Sequence, residues 1–130
     1  MILLDTDVCV ALLRGYHPVL DRRQSVADDV AIASMSAAEL YYGAEKSSRP
    51  DANRTLVEEF LVTIPVLHTN LPIMRRFGEL KAEIERTGQP LPDADILIAA
   101  TCLSLCERLV TGNTAHFSRF PDLVLENWLR

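Results

Sequence analysis

The chain has 130 residues, of which 48% are hydrophobic and 24% charged, and a formal net charge of −5 at pH 7. One domain of this length buries roughly two-thirds of its unfolded surface, the near-average charge excludes wholesale disorder, and no apolar run reaches the about 20 residues of a membrane span. The acidic balance also argues against a protein that coats nucleic acid by general electrostatics, so any contact with RNA must be local or assisted by a bound cation.

Met1 is followed at once by Ile2-Leu3-Leu4-Asp5, with no basic segment and no small-residue cleavage site, so no secretory leader is expected. The odd count of three cysteines, Cys9, Cys102 and Cys106, fits free thiols in a reducing cytosol. With no repeat and no linker, the expectation is a cytoplasmic protein with one domain over residues 1–130 and no membrane association. Basic residues are skewed to eleven arginines against two lysines, Lys46 and Lys81. Arginine suits bidentate phosphate recognition and is equally an ordinary surface residue; Arg14, Arg22, Arg23, Arg75 and Arg76 are the candidates for RNA contact.

Met1–Asp5 reads as a short apolar strand ending on a carboxylate. Thr6–Arg14 is apolar at helical spacing with Gly15 as its stop, and His17–Val26 reads as a second short helix. Val30–Ala33 is the next strand. Ser36-Ala37-Ala38-Glu39 has the form of a capping box opening a helix to Lys46. Pro50 starts another helix to about Thr63, and Ile64–His68 is strand or extended connection. Leu71–Thr87 is a long amphipathic helix closed by Gly88. After the turn-rich Gln89-Pro90-Leu91-Pro92, Ala94–Cys106 is helical and apolar on all sides, which marks it for burial. Leu109–Thr111 and Leu123–Glu126 complete the strands. Strands separated by helices predict an α/β fold with a central, mainly parallel sheet flanked by helices.

In such a sheet, strand C-termini and the N-termini of the following helices share one edge, where ligands bind. Asp5 closes the first strand, Glu39 falls in the first turn of a helix, and Asp93 and Asp95 begin the apolar helix, so the four converge on that edge. Helix N-termini favour anionic side chains, and a hard divalent cation favours them more. Mg²⁺ takes oxygen ligands and keeps several waters, leaving room for a phosphate. A carboxylate set without paired His or Cys suits Mg²⁺, or Mn²⁺ as a substitute, better than zinc.

Several of these residues also have a purely structural reading. Asp93 reads equally as the N-cap of its helix, Glu39 as the third residue of its capping box, and Asp7 as a first-turn helix charge. Asp5 has no evident local capping duty. Asp95 sits inside Pro92-Asp93-Ala94-Asp95-Ile96-Leu97-Ile98-Ala99-Ala100, where burial is expected, and needs a partner. Cys102 and Cys106, one turn apart with no His nearby, read as core thiols rather than zinc ligands.

At these residues the sequence resembles a known family. Leu3-Leu4-Asp5-Thr6-Asp7, Ser36-Ala37-Ala38-Glu39-Leu40-Tyr41-Tyr42-Gly43-Ala44, Asp95-Ile96-Leu97-Ile98-Ala99-Ala100-Thr101 and Leu109-Val110-Thr111-Gly112-Asn113 resemble, in order and over nearly the whole chain, the PIN-domain toxins of the VapC type. The resemblance implies a PIN-like fold and a Mg²⁺-dependent ribonuclease with Asp5, Glu39 and Asp95 as metal ligands. Around these, Thr6, Ser36, Thr111, Asn113 and His116 stand as supporting residues. It also implies a homodimer that is the toxin of a type II toxin–antitoxin system, held inactive by a cognate VapB-like antitoxin whose tail lies across the active-site groove.

The chain departs from the family pattern at Thr111-Gly112-Asn113-Thr114-Ala115-His116-Phe117. Gly112 replaces the first Asn of a pair, and His116 stands where an acidic residue is usual. Three readings stay open: Asp93 supplies the missing carboxylate, Asn113 holds a water on the metal, or a second metal site is weak. The rival functions are a catalytically degenerate PIN fold that binds antitoxin or RNA without cleaving, a haloacid-dehalogenase-type phosphatase using Asp5-Thr6-Asp7 with Asp5 as nucleophile, and a phospho-receiver. The phosphatase lacks a downstream Lys near an Asp pair, and the receiver lacks an acidic pair after its first strand.

Overall fold

Short, wholly apolar runs become the middle of a parallel sheet because both of their faces are covered. The computed structural model describes residues 1–130. In chain order the elements are β1 (Ile2–Leu4), α1 (Thr6–Leu13), α2 (His17–Ser25), β2 (Val30–Ala33), α3 (Ser34–Glu45), α4 (Pro50–Val62), β3 (Val66–Leu67), α5 (Leu71–Arg86), α6 (Asp93–Leu105), β4 (Arg108–Val110), α7 (Thr114–Phe117) and β5 (Leu125–Glu126). The five strands lie in the order β3-β2-β1-β4-β5, and every pairing is parallel. The expected α/β class and mainly parallel sheet are therefore present.

The strand order sets where a ligand can bind. From β1 the chain winds outward through β2 and β3, then returns to place β4 on the opposite side of β1. The gap between β1 and β4 is the topological switch point, and the crevice beyond its strand ends is the favoured ligand position in such sheets. Leu4 pairs with Val110, so the next residues along, Asp5 and Thr111, face each other across that gap.

Alternate strand residues feed two cores. Leu3, Ala31, Ala33 and Leu109 pack with Ile73, Leu80 and Ile84 of α5 and with the buried residues of α6. Ile2, Leu4, Ile32 and Val110 pack with Val8, Cys9, Leu40, Val57, Phe60 and Trp128 on the other face. α6 buries Ile96, Ile98, Ala99, Ala100, Thr101 and Cys102, residues pointing in every direction around its axis, as its uniform apolarity predicts. The three cysteines are free; Cys9 and Cys102 are buried and Cys106 half-buried. No helix is long and apolar enough to cross a membrane.

Three expectations are corrected. α3 starts at Ser34, directly off β2, with Ala33 at its N-cap and no side-chain cap bond. The capping box is therefore not formed, and Glu39 lies in the second turn instead of the first. The N-cap of α6 is Pro92, so Asp93 is its first helical residue and caps nothing. Asp5 does carry a capping duty: it is the N-cap of α1, and its side chain accepts from Thr6 N. The four-residue α7 was not anticipated.

Candidate active site

Asp5 leaves β1 in an extended conformation, with φ −70° and ψ 163°, which turns its side chain into the crevice between α1 and β4. Its Oδ1 accepts from Thr6 N at 2.8 Å and its Oδ2 from Thr111 Oγ1 at 2.7 Å. Thr111 is fully buried, and its Oγ1 also accepts from Asn113 N at 2.9 Å. The carboxylate at the centre of the edge is thus locked by donors from both strands' continuations. Asp5 is only 5% exposed. Burial is the main reason its carboxyl is pushed up from 3.8 to about 7; the Asp7 charge adds to this, the Thr111 and Thr6 hydrogen bonds oppose it, and Asp95 adds a little more.

Glu39 arrives from α3. Thr6 Oγ1 lies 2.7 Å from Glu39 Oε1 and 2.9 Å from Ser36 Oγ. A threonine hydroxyl has one proton, and the carboxylate is the stronger acceptor. Thr6 therefore donates to Glu39 and accepts from Ser36. Ser36, freed from capping, is fully buried and ties α3 to the start of α1.

Asp95 projects from the first turn of α6 and is 18% exposed on its side chain. Its partner is His116 of α7, with Nδ1 2.8 Å from Asp95 Oδ2. Asn113 Nδ2 stands 2.9 Å from the same ring nitrogen. Because the carboxylate can only accept, Nδ1 carries the proton toward Asp95. Phe117, buried in the core beside Phe120, anchors the short helix that presents His116.

Asp93 goes elsewhere. It is 65% exposed and forms an ion pair with Lys81 of α5, Nζ to Oδ1 3.0 Å. The edge thus gathers Asp5, Glu39 and Asp95 with Thr6, Ser36, Thr111, Asn113 and His116, while Asp93 faces away on the α5 side.

Asp7, read from the sequence as a first-turn helix charge, also reaches the segment after β4. Its Oδ2 accepts from Gly112 N at 2.9 Å, and its Oδ1 is buried with no partner. A Cβ at position 112 would crowd the Leu129 side chain and stand 2.9 Å from Asp7 Oδ2, so a larger residue there would require both side chains to shift. The substitution of Gly112 for Asn at this position was the available signal.

Two grooves open beside the cluster. One, of about 610 Å³, runs from Asp7 past Arg14, Tyr16 and His17 to Leu129. The other, of about 350 Å³, runs from Glu39 along the apolar side chains of Val10, Leu13, Leu40, Leu56 and Val57. Arg14 lines both. Arg22 is paired with Glu126, Arg75 with Glu79 and Arg76 with Asp122, and Arg23 donates to the Thr63 carbonyl. Arg14 alone of the five candidate arginines makes no ion pair or side-chain hydrogen bond.

The residues present fit a hard divalent cation. The donors at the edge are mostly carboxylate oxygens, the orphaned Asp7 Oδ1 lacks any donor, and the buried Asp5 is destabilised by its like-charged neighbours. No three His, Cys, Asp or Glu side chains stand close enough together to enclose an ion. An ion there would reach some of these carboxylates through its own waters, as Mg²⁺ does, unlike the closed shell of a tetrahedral zinc site.

Comparison with known proteins agrees with the geometry. The family described as PIN domain matches residues 2–123. The chain is 35% identical over 128 residues to Ribonuclease VapC2 of Haemophilus influenzae, covering 98% of this chain and 97% of that protein. It is 32% identical over 127 residues to the tRNA(fMet)-specific endonuclease VapC of Shigella flexneri, covering 97% and 96%. Among solved structures, a chain of VapBC2 from Rickettsia felis bound to a promoter DNA fragment superposes with a TM-score of 0.90 at 31% identity, covering 98% of this chain and 99% of that one. A chain of DNA-bound VapBC from Salmonella typhimurium gives 0.91 at 31% identity, covering 98% and 97%. With the fold and near-complete coverage in agreement, this chain belongs to the VapC-type ribonucleases of the PIN-domain family.

Proposed function

We propose that the chain, as one PIN domain over residues 1–130, is the toxin of a toxin–antitoxin pair and hydrolyses RNA phosphodiesters with Mg²⁺, or Mn²⁺ in its place, held by Asp5, Glu39 and Asp95. The observation that carries this reading is Asp5 itself: a carboxylate sunk at the switch point, held rigid by Thr6 N and Thr111, with like charges against it and no basic partner. Burying that arrangement is costly unless a cation completes it.

A divalent cation held there by Asp5, Glu39 and Asp95 would supply positive charge to the phosphodiester and would make a water nucleophilic for in-line attack. Thr6 and Thr111 fix Asp5, so that its oxygens need not reorganise. Thr6 also orients Glu39, and through Ser36 it couples α1 to α3. The His116 Nδ1–H holds one oxygen of Asp95 and leaves the other free to face the crevice. Arg14, unpaired at the junction of the two grooves, is placed for a phosphate of the RNA backbone. The apolar groove that starts at Glu39 suits the tail of a VapB-like antitoxin. A cytoplasmic homodimer completes the proposal.

Growth arrest on induced expression tests it. Wild type should arrest cells, and Asp5→Asn and Asp95→Asn should not. Equal arrest by all three would shift the explanation to misfolding or partner sequestration. Absence of arrest despite accumulated, antitoxin-free protein would favour the degenerate fold that binds without cleaving.

A further inference from the structure

We propose that the groove of about 610 Å³ takes an unpaired base of the RNA, stacked on the ring of Tyr16, while Arg14 holds the neighbouring phosphate. This rests on the RNA reading given above and narrows it to a substrate class: RNA with an unpaired nucleotide at this contact, in place of an uninterrupted duplex.

The local sequence builds the platform. α1 ends in a Schellman turn: Gly15, at φ +70°, donates its N–H to Leu12 O, and Tyr16 N donates to Ala11 O, each at 3.0 Å. These backbone bonds set Tyr16 just beyond Arg14 and do not depend on the side chain at position 16. Core packing does not account for the ring, because Tyr16 is 45% exposed. Its hydroxyl reaches Leu129 O at 3.5 Å. The aromatic side chain therefore extends from the α1–α2 turn to the C-terminal segment, in a groove whose apolar lining includes Val10, Ala11 and Leu129. A half-exposed aromatic face is what a base needs for stacking, and every base has a matching face.

Charge decides which part of a nucleotide enters. With a net charge of −5, the chain can hold a phosphate only where a cation is local. Arg14, free of ion pairs, lines the groove and supplies that cation. The Asp7 carboxylate lines it as well and repels a phosphate from its own end. The neutral base fits the apolar space between them. Asp7 accepts from the N–H of Gly112, which follows Thr111, the residue that holds Asp5, so the groove adjoins the carboxylate edge. A base inside a continuous duplex is stacked on its neighbours and cannot enter, whereas one in a loop or bulge is free to do so.

The test is fluorescence anisotropy on the purified, antitoxin-free chain in EDTA, with two labelled probes. One is a short unpaired RNA of mixed sequence, and the other is the same backbone made wholly of abasic nucleotides. Tyr16→Ala should weaken binding of the base-bearing RNA by roughly tenfold or more and leave the abasic probe within about twofold. Tyr16→Phe keeps the ring and should match wild type. Tyr16→Leu keeps apolar bulk without an aromatic face and should behave as Tyr16→Ala. Arg14→Ala should weaken both probes alike, and annealing the RNA to its complement should remove the dependence on Tyr16. No measurable binding of the unpaired RNA by wild type overturns the base site. So does an affinity for Tyr16→Ala within about twofold of wild type, or an equal loss on both probes; the groove is then left to a protein segment. Because binding is read without a cation, the two readings fail separately. Mg²⁺-dependent cleavage without a Tyr16 effect keeps the ribonuclease and removes the base site. Base-dependent binding without any cleavage keeps the base site and returns the chain to a fold that binds RNA uncut.

Discussion

Asp5→Asn should make the cation-free protein less sensitive to alkali. The folded protein holds the Asp5 carboxyl at about 7 against 3.8 for the ordinary group, chiefly because it is buried beside Asp7. A folded-state value raised above the unfolded one means that the folded protein binds the proton more tightly. The stabilising contribution is therefore complete below about pH 3.8, declines as pH rises, and is gone above about pH 7. The whole difference corresponds to about 4 kcal/mol, more than half of which falls between pH 5 and pH 8. Asparagine cannot ionise, so that slope is missing from the variant. Urea denaturation in EDTA at pH 5 and pH 8 reads it directly, because subtracting variant from wild type cancels the contributions of all other groups. The difference should move against wild type by about 2 to 3 kcal/mol, a midpoint displacement of roughly 1 to 2 M urea. Saturating Mg²⁺ should abolish it, since the cation takes the place of the proton. A difference that stays constant with pH, or moves in favour of wild type, refutes the reasoning that Asp5 is an uncompensated buried acid.

Thr111→Val preserves shape but removes the hydroxyl that donates to Asp5 Oδ2 at 2.7 Å; it should cost about 1–3 kcal/mol in urea denaturation, and a loss below about 0.5 kcal/mol would contradict its place in the lock. Gly112→Ala meets Leu129 and Asp7, and should destabilise by about 1–3 kcal/mol, measured the same way. Asp93→Asn breaks only an exposed pair with Lys81 and should leave RNA cleavage and stability near wild type; a severe loss of cleavage would return Asp93 to the ligand set.

Much of this arrangement is legible in the sequence because it is local. Val30–Ala33 is a strand from its apolar run and acidic boundary, and the apolar helix announces its burial through composition. Asp5 and Asp95 stand out as charges inside segments otherwise made for a core. What the sequence hides depends on neighbours distant in the chain. Ser36 reads as the helix opener, and only the direct exit of α3 from β2 makes Ser34 the first residue, which releases Ser36 and Glu39 to Thr6. The partners of Asp93 and Asp95 are not written beside them; the packing of α5 beside α6 gives Lys81 to the first, and α7 gives His116 to the second. α7, with four residues, is too short for any periodicity to show. Asp7 reads as an ordinary first-turn acid until Gly112, 105 residues away, closes on it.

The most direct measurement is cleavage of RNA by the purified, antitoxin-free chain with Mg²⁺, alongside Asp5→Asn, Glu39→Gln and Asp95→Asn. Cleavage by wild type that stops in EDTA and falls by two orders of magnitude or more, an expectation of about 3 kcal/mol in barrier, in each variant is the result predicted here. Cleavage that persists in EDTA, or that survives in all three variants, would contradict the assignment of the chemistry to the carboxylates at the β1–β4 edge.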